Sequence, residues 1–246
     1  MDRIIYTSMT GANAAAHRQA VLSNNLANVS TNGFRAEMTA FRSVPLQGQG
    51  SSTRVFSLET TSGHDEKAGP VQRTGKATDA MALGNAWFAV QGLDGLEAYT
   101  RNGGFEVSVD NMLVTGTGLP VLSNGGAPID VPQGASISLG ADGTVNATLP
   151  NQPPMQLGRL KMVTPDADNR LQRSDDGLFR AANGDVLAND DNARLLAGAV
   201  EGSNVNSVEA MVGMIAASRE FEQQMKLLST AETNDKTAAQ LLSING

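Results

Sequence analysis

His17 and His64 are the only imidazoles in this sequence, the side chains that most readily pass a proton near neutral pH, and they fall in different segments of the chain. His17 sits inside a helical pattern and reads as a surface residue rather than a base. His64-Asp65-Glu66 lines up three potential metal ligands, but adjacent residues rarely converge on one ion. Asp166-Ala167-Asp168-Asn169 opens like a calcium loop, yet Arg170 and Leu171 stand where that loop needs an oxygen ligand and then a glycine. Thr115-Gly116-Thr117-Gly118 has no helix after it to hold a phosphate and reads as a β-turn. The lack of cysteine removes disulfides, thiol catalysis and thiolate-bound zinc. Asn28-Val29-Ser30 and Asn146-Ala147-Thr148 match the glycosylation triplet, a pattern common by chance. The expectation is a protein without a catalytic, metal or cofactor-binding site, and without a small-molecule substrate.

Bulk character narrows the partners. A formal charge of −7 with no Lys/Arg cluster offers no footprint for phosphate, so neither nucleic acid nor an acidic membrane is expected. No window approaches the roughly 20 apolar residues of a membrane span. The opening MDRIIYTSMTG lacks a basic start followed by an apolar run, so the chain reads as soluble and without a cleaved signal. Aromatics make up 4% of 246 residues and Gly contributes 26, so turns are plentiful and bulky core anchors few.

The elements that organise these residues divide into two kinds. Ile5, Met9, Ala12, Ala16, Leu22, Leu26 and Val29 follow helical spacing, with Asn32-Gly33 as the stop, and Gly11 is the one interior glycine. From Val205 onward Met211, Met214, Ser218, Phe221, Met225 and Leu228 recur at heptad spacing, and the same register continues through Glu232, Asp235, Ala239 and Leu242. Val208, Val212 and Ile215 widen that face beyond what one helix can cover. Between the helices the period falls to two, in Trp87-Phe88-Ala89-Val90, Ala98-Tyr99-Thr100 and Phe105 to Val109. Asp94-Gly95, Asn102-Gly103, Asn124-Gly125, Asp142-Gly143, Asp176-Gly177 and Asn183-Gly184 punctuate this region as turns. The stretch 43–80 fits neither period, and Gln47 to Ser52 reads as flexible linker.

Charge supports pairing of the ends. Residues 1–45 carry Arg3, Arg18, Arg35 and Arg42 against Asp2 and Glu37, whereas 201–246 carry Arg219, Lys226 and Lys236 against six carboxylates. Opposite signs favour association of the two helices, within or between chains. Asn24, Asn25 and Asn28 crowd the end of the first helix, where asparagine is a mediocre helix former. They mark either a fraying end or buried polar contacts that set register.

Ser23 to Glu37, SNNLANVSTNGFRAE, resembles the N-terminal signature of flagellar rod and hook proteins. Ser203 to Glu232 is similar to that family's C-terminal helix. MDRIIYTSMTGA, WFAVQGLDGLEAYTRNG at Trp87 to Gly103 and GRLKMV at Gly158 to Val163 look like the proximal-rod members, with the distal rod as the alternative. Departures are Ser30 and Asp110-Asn111-Met112, where the family often places Asn and a glycine turn. The resemblance implies a non-enzymatic subunit of the flagellar basal-body rod. It would be exported unfolded and uncleaved through the flagellar type III apparatus, then stack helically with copies of itself and other rod proteins into the shaft crossing the periplasm.

The expected fold is α+β: terminal helices pairing as a coiled-coil-like inner layer, with an intervening, mainly antiparallel β domain on the outside. The divisions are an N-terminal helix over 1–34, an extended connector over 35–80, a β-rich outer domain over 81–202 and a C-terminal helix over 203–246. Expected assembly residues are Asn24, Asn25, Leu26, Asn28, Gly33 and Phe34 at one end. At the other they are Met214, Ile215, Arg219, Phe221, Met225 and Leu228. The rival classes are an enzyme built on the β region and a ligand-binding β module with exposed aromatics around Trp87 and Tyr99.

Overall fold

The computed structural model describes residues 2–45, 55–166 and 169–244, and the chain divides into two compact units. The first holds helix α1 (Asp2–Ala27), an antiparallel hairpin of β1 (Glu37–Pro45) and β2 (Val55–His64), and helix α2 (Ser207–Ile244). Asn206 starts α2: its Oδ1 accepts from the N–H groups of Val208 (3.1 Å) and Glu209 (3.3 Å), as an N-cap does. No described helix is long and apolar enough to cross a membrane.

Two readings are corrected here. Helix α1 stops at Ala27 rather than at Asn32-Gly33, because the Asn28 side-chain amide donates to Asn24 O (3.0 Å) and Oδ1 (3.2 Å) and competes with the next helical turn. The stretch 35–80 contains the hairpin and the strand Val71–Arg73 instead of only an extended connector. Its strands escaped notice because β1 turns Met38, Ala40 and Arg42 outward and Glu37, Thr39 and Phe41 inward, an alternation without hydrophobic contrast. Gln47 to Ser52 lies outside the described residues, as do Ala167 and Asp168 of the rejected calcium loop. The terminal helices pack on each other, the pairing expected of them.

The second unit, Ser30–Arg35 with Glu66–Asn204, is the β region. Its largest sheet runs Met162–Val163, Trp87–Gln91, Glu97–Thr100, Phe179–Ala181, Leu171–Arg173, with antiparallel neighbours throughout. A three-stranded sheet (Met155–Arg159, Thr144–Thr148, Ser136–Leu139) and several two-stranded pairs complete it. Because side chains alternate along a strand, Phe88 and Val90 enter one apolar cluster with Phe105, Leu113, Val121, Leu160 and Met162. Trp87 and Ala89 enter another with Tyr99, Val163, Leu171 and Phe179. Burial on both faces explains the unbroken Trp87-Phe88-Ala89-Val90 run.

Trp87 and Tyr99 are therefore core residues, which removes the exposed aromatic cluster that a ligand-binding module required. The Tyr99 hydroxyl accepts from Leu187 N–H at 2.7 Å, and burial pushes its phenol well above the ordinary tyrosine range. At the Asp110-Asn111 turn, Asn111 takes a φ of +60°, a conformation asparagine tolerates where the family often has glycine.

Candidate assembly interface

Helices α1 and α2 run antiparallel. A methyl on Gly11 would lie 3.0 Å from Gln224 Cδ, one on Gly213 would lie 3.0 Å from Leu22 Cδ1, and Arg18 pairs with Glu220 at 3.5 Å. Residues paired early in α1 thus meet late ones in α2. The seam on α2 is Ala210, Met214, Ala217, Phe221, Gln224, Leu228 and Ala231, at heptad spacing. On α1 it takes Ser8, Ala12 and Ala15, with Ile5 and Leu22 half-buried.

This register differs by one position from the expected one. Met214, Phe221 and Leu228 belong to the seam, but Ala210, Ala217 and Ala231 fill the positions assigned to Met211, Ser218 and Glu232, and Gln224 that of Met225. On α1, Ser8 and Ala15 replace Met9 and Ala16. Small side chains let two helices approach closely, whereas a larger neighbour is held outside. The fully buried seam positions on α2 are alanines, and burying each methyl-sized group contributes only about 0.8 kcal/mol. Outside it α2 exposes Val208 (64%), Met211 (45%), Val212 (62%), Ile215 (56%) and Met225 (47%).

The other expected assembly residues have distinct placements. Asn25 is buried, and its side-chain amide pairs with the backbone of Glu37, donating to its O (2.9 Å) and accepting from its N–H (2.8 Å). It therefore fixes the start of β1 rather than a helix register. Asn24 is exposed, and Leu26 and Asn28 are half-buried at the end of α1. Gly33 and Phe34 are buried inside the β unit, Phe34 with the Arg173 guanidinium 4.3 Å from its ring centroid. Arg219 is exposed on α2. Further along, Lys236 bonds Glu232 at 2.7 Å and holds that carboxyl below its ordinary pKa. His17 is exposed on α1 and His64 ends β2. Among the described residues, no three His, Asp or Glu side chains are placed to hold a metal ion.

One constellation was not anticipated. The Glu201 carboxylate, 1% exposed, accepts from Arg35 Nη2 (2.8 Å) and Gly69 N–H (3.0 Å) on Oε1, and from Arg101 Nε (2.8 Å) and Nη2 (2.6 Å) on Oε2. Two cations share one anion in a buried spot. Further guanidinium hydrogens reach carbonyls: Arg101 donates to Ala86 O and Gly84 O, and Arg35 to Glu66 O. Both guanidiniums also lie within 5.9 Å of the Trp87 ring centroid. With most of these donors aimed at acceptors, much of the desolvation penalty of a buried ion group is offset. The one sequence signal was the lone carboxylate ending an apolar run, Ala199-Val200-Glu201.

A family model described as flagella basal body rod protein matches residues 5–35, and one described as flagellar hook protein FlgE/F/G D1 domain matches 81–147. A third, flagellar basal body rod FlgEFG protein C-terminal, matches 196–241. The flagellar basal-body rod protein FlgF of Salmonella typhimurium is 44% identical to this chain over the full length of both. The chain belongs to the FlgF family of flagellar basal-body rod proteins. FlgF of Escherichia coli is 43% identical over the full length of both chains. FlgG of Buchnera aphidicola subsp. Schizaphis graminum is 30% identical over 96% of this chain and 98% of its own. As a FlgF-family protein the chain is a structural subunit of the rod, resides in the flagellar basal body, serves motility and assembles with other rod components. Each of the three matched segments contributes one side chain to the buried network: Arg35, Arg101 and Glu201.

Proposed function

We propose that this rod subunit belongs to the proximal rod and polymerises through the faces of its terminal helices that the intrachain seam leaves uncovered. The observation that carries this reading is the exposed apolar stripe Val208, Met211, Val212 and Ile215 on a helix whose opposite face is already occupied. A helix that keeps an apolar stripe outside its intrachain seam gains more from a second partner than from water. The higher identity to FlgF than to FlgG favours the proximal position. Labelled subunits in purified basal bodies should locate at the rod end nearer the inner membrane; label at the outer end would favour the distal rod.

The subunit performs no catalysis and takes no cofactor, nucleic acid or small-molecule substrate, and it reaches its site through the flagellar type III export apparatus. A net charge of −7 and two histidines in separate segments support this. Replacing both His17 and His64 with Ala should leave swimming speed and rod number unchanged. Loss of motility in a double variant that still assembles would revive a chemical role.

A further inference from the structure

The chain passes between its two units at 29/30, 35/36, 65/66 and 204/205. Inside the β unit, the residues beside these passages are bonded to one another. Gly33 N–H donates to Glu201 O at 2.7 Å, Asn204 N–H to Phe34 O at 3.3 Å, Arg35 Nη1 to Glu66 O at 3.0 Å and Asn204 Nδ2 to Lys67 O at 2.9 Å. Glu201 also takes the Gly69 N–H, and Gly202 N–H reaches Pro70 O at 2.8 Å. The Arg35–Glu201–Arg101 group lies at the centre of these contacts.

We propose that Arg35, Arg101 and Glu201 form a buried anchor that gathers all four passages of the chain at one place on the β unit. This anchor opens as a single cooperative piece while the sheet behind it stays folded. Two observations support it. The larger apolar cluster, around Phe88, Phe105, Leu113, Val121, Leu160 and Met162, packs on the sheet face opposite Trp87, the ring against which both guanidiniums lie. Glu201 is the one carboxylate that both guanidiniums share, so withdrawing it leaves two desolvated cations behind; opening at Glu201 therefore releases both arginines together. The anchor makes the N-terminal signature residues Gly33, Phe34 and Arg35 parts of an intrachain joint. They are thereby distinguished from the helix faces that meet other subunits.

Native-state amide exchange of the full-length chain in low denaturant tests this. The amides of Gly33, Gly69, Gly202 and Asn204 should exchange together, through an opening at least about 100-fold more populated than the one that releases Leu113 and Val121 of the larger cluster. Those two core amides bond Ile129 O and Leu113 O. Glu201→Gln should accelerate the first group by about 100-fold more while leaving the core pair within about threefold. Exchange of all six amides at one rate in the unaltered protein would overturn the proposal. So would a Glu201→Gln chain that fails to fold, that loosens the core equally, or that leaves the four amides unchanged.

Discussion

Ile215→Asp is expected to leave the subunit folded and to exclude it from rods. Ile215 is 56% exposed and outside the intrachain seam, so a carboxylate there meets water in the free subunit and costs little. Once a neighbouring subunit covers the stripe, the same carboxylate is buried without a partner, at a cost of several kcal/mol per contact. At about 1.4 kcal/mol per tenfold, that weakens each contact by at least about 100-fold. Circular dichroism of the purified variant should match the unaltered protein, and basal bodies from cells lacking the native copy should contain none of it. Secretion of the variant has to be assayed alongside, so that a failure of export is not mistaken for a failure of assembly. Normal incorporation would remove the stripe from the interface. Phe221→Asp is the contrasting case, because Phe221 sits on the seam with α1 and its replacement should already reduce helix content in the free subunit.

Much of the architecture could be read from periodicity. The strand pair Trp87–Gln91 and Glu97–Thr100 follows the alternation and the Asp94-Gly95 turn, and both long helices announce themselves by spacing. The helix register was displaced by one residue for a physical reason. A hydrophobicity pattern selects the largest apolar side chains, here Met211 and Met225, whereas close helix packing selects small ones, Ala210 and Ala217. The methionines then remain outside, on the face proposed for a second partner, so the displaced pattern reads the interface left open rather than the one already made. The buried network had no such signature. Arg101 and Glu201 are separated by 100 positions, and ion pairs carry no period. Their partnership exists only in the folded chain, where Arg101 follows strand Glu97–Thr100 and Glu201 ends strand Ala199–Glu201, members of two different sheets.

Gly33 gives the second large effect and separates two reasons for a glycine. Its φ is +70°, which asparagine also adopts, and its N–H bonds Glu201 O. Conformation alone would therefore permit Asn. Space does not: a Cβ there would stand 2.3 Å from Asn102 N and 2.4 Å from the Arg101 carbonyl carbon, backbone atoms that cannot swing aside. Gly33→Asn is expected to destabilise the β unit by about 3 kcal/mol or more, displacing the segment 30–35 from the network. Gly95, at φ +79° with nothing within 4 Å of its hypothetical Cβ, provides the comparison. Gly95→Asn should cost no more than about 1 kcal/mol, because only the turn conformation is at stake. Urea denaturation of the two full-length variants, followed by Trp87 fluorescence, measures the difference directly. Trp87 is the sequence's single tryptophan and lies against both arginines of the network. Equal stabilities for the two variants would mean that the segment 30–35 can move away from Arg101 at little cost. The close approach of Gly33 would then not be what holds the N-terminal signature in the β unit.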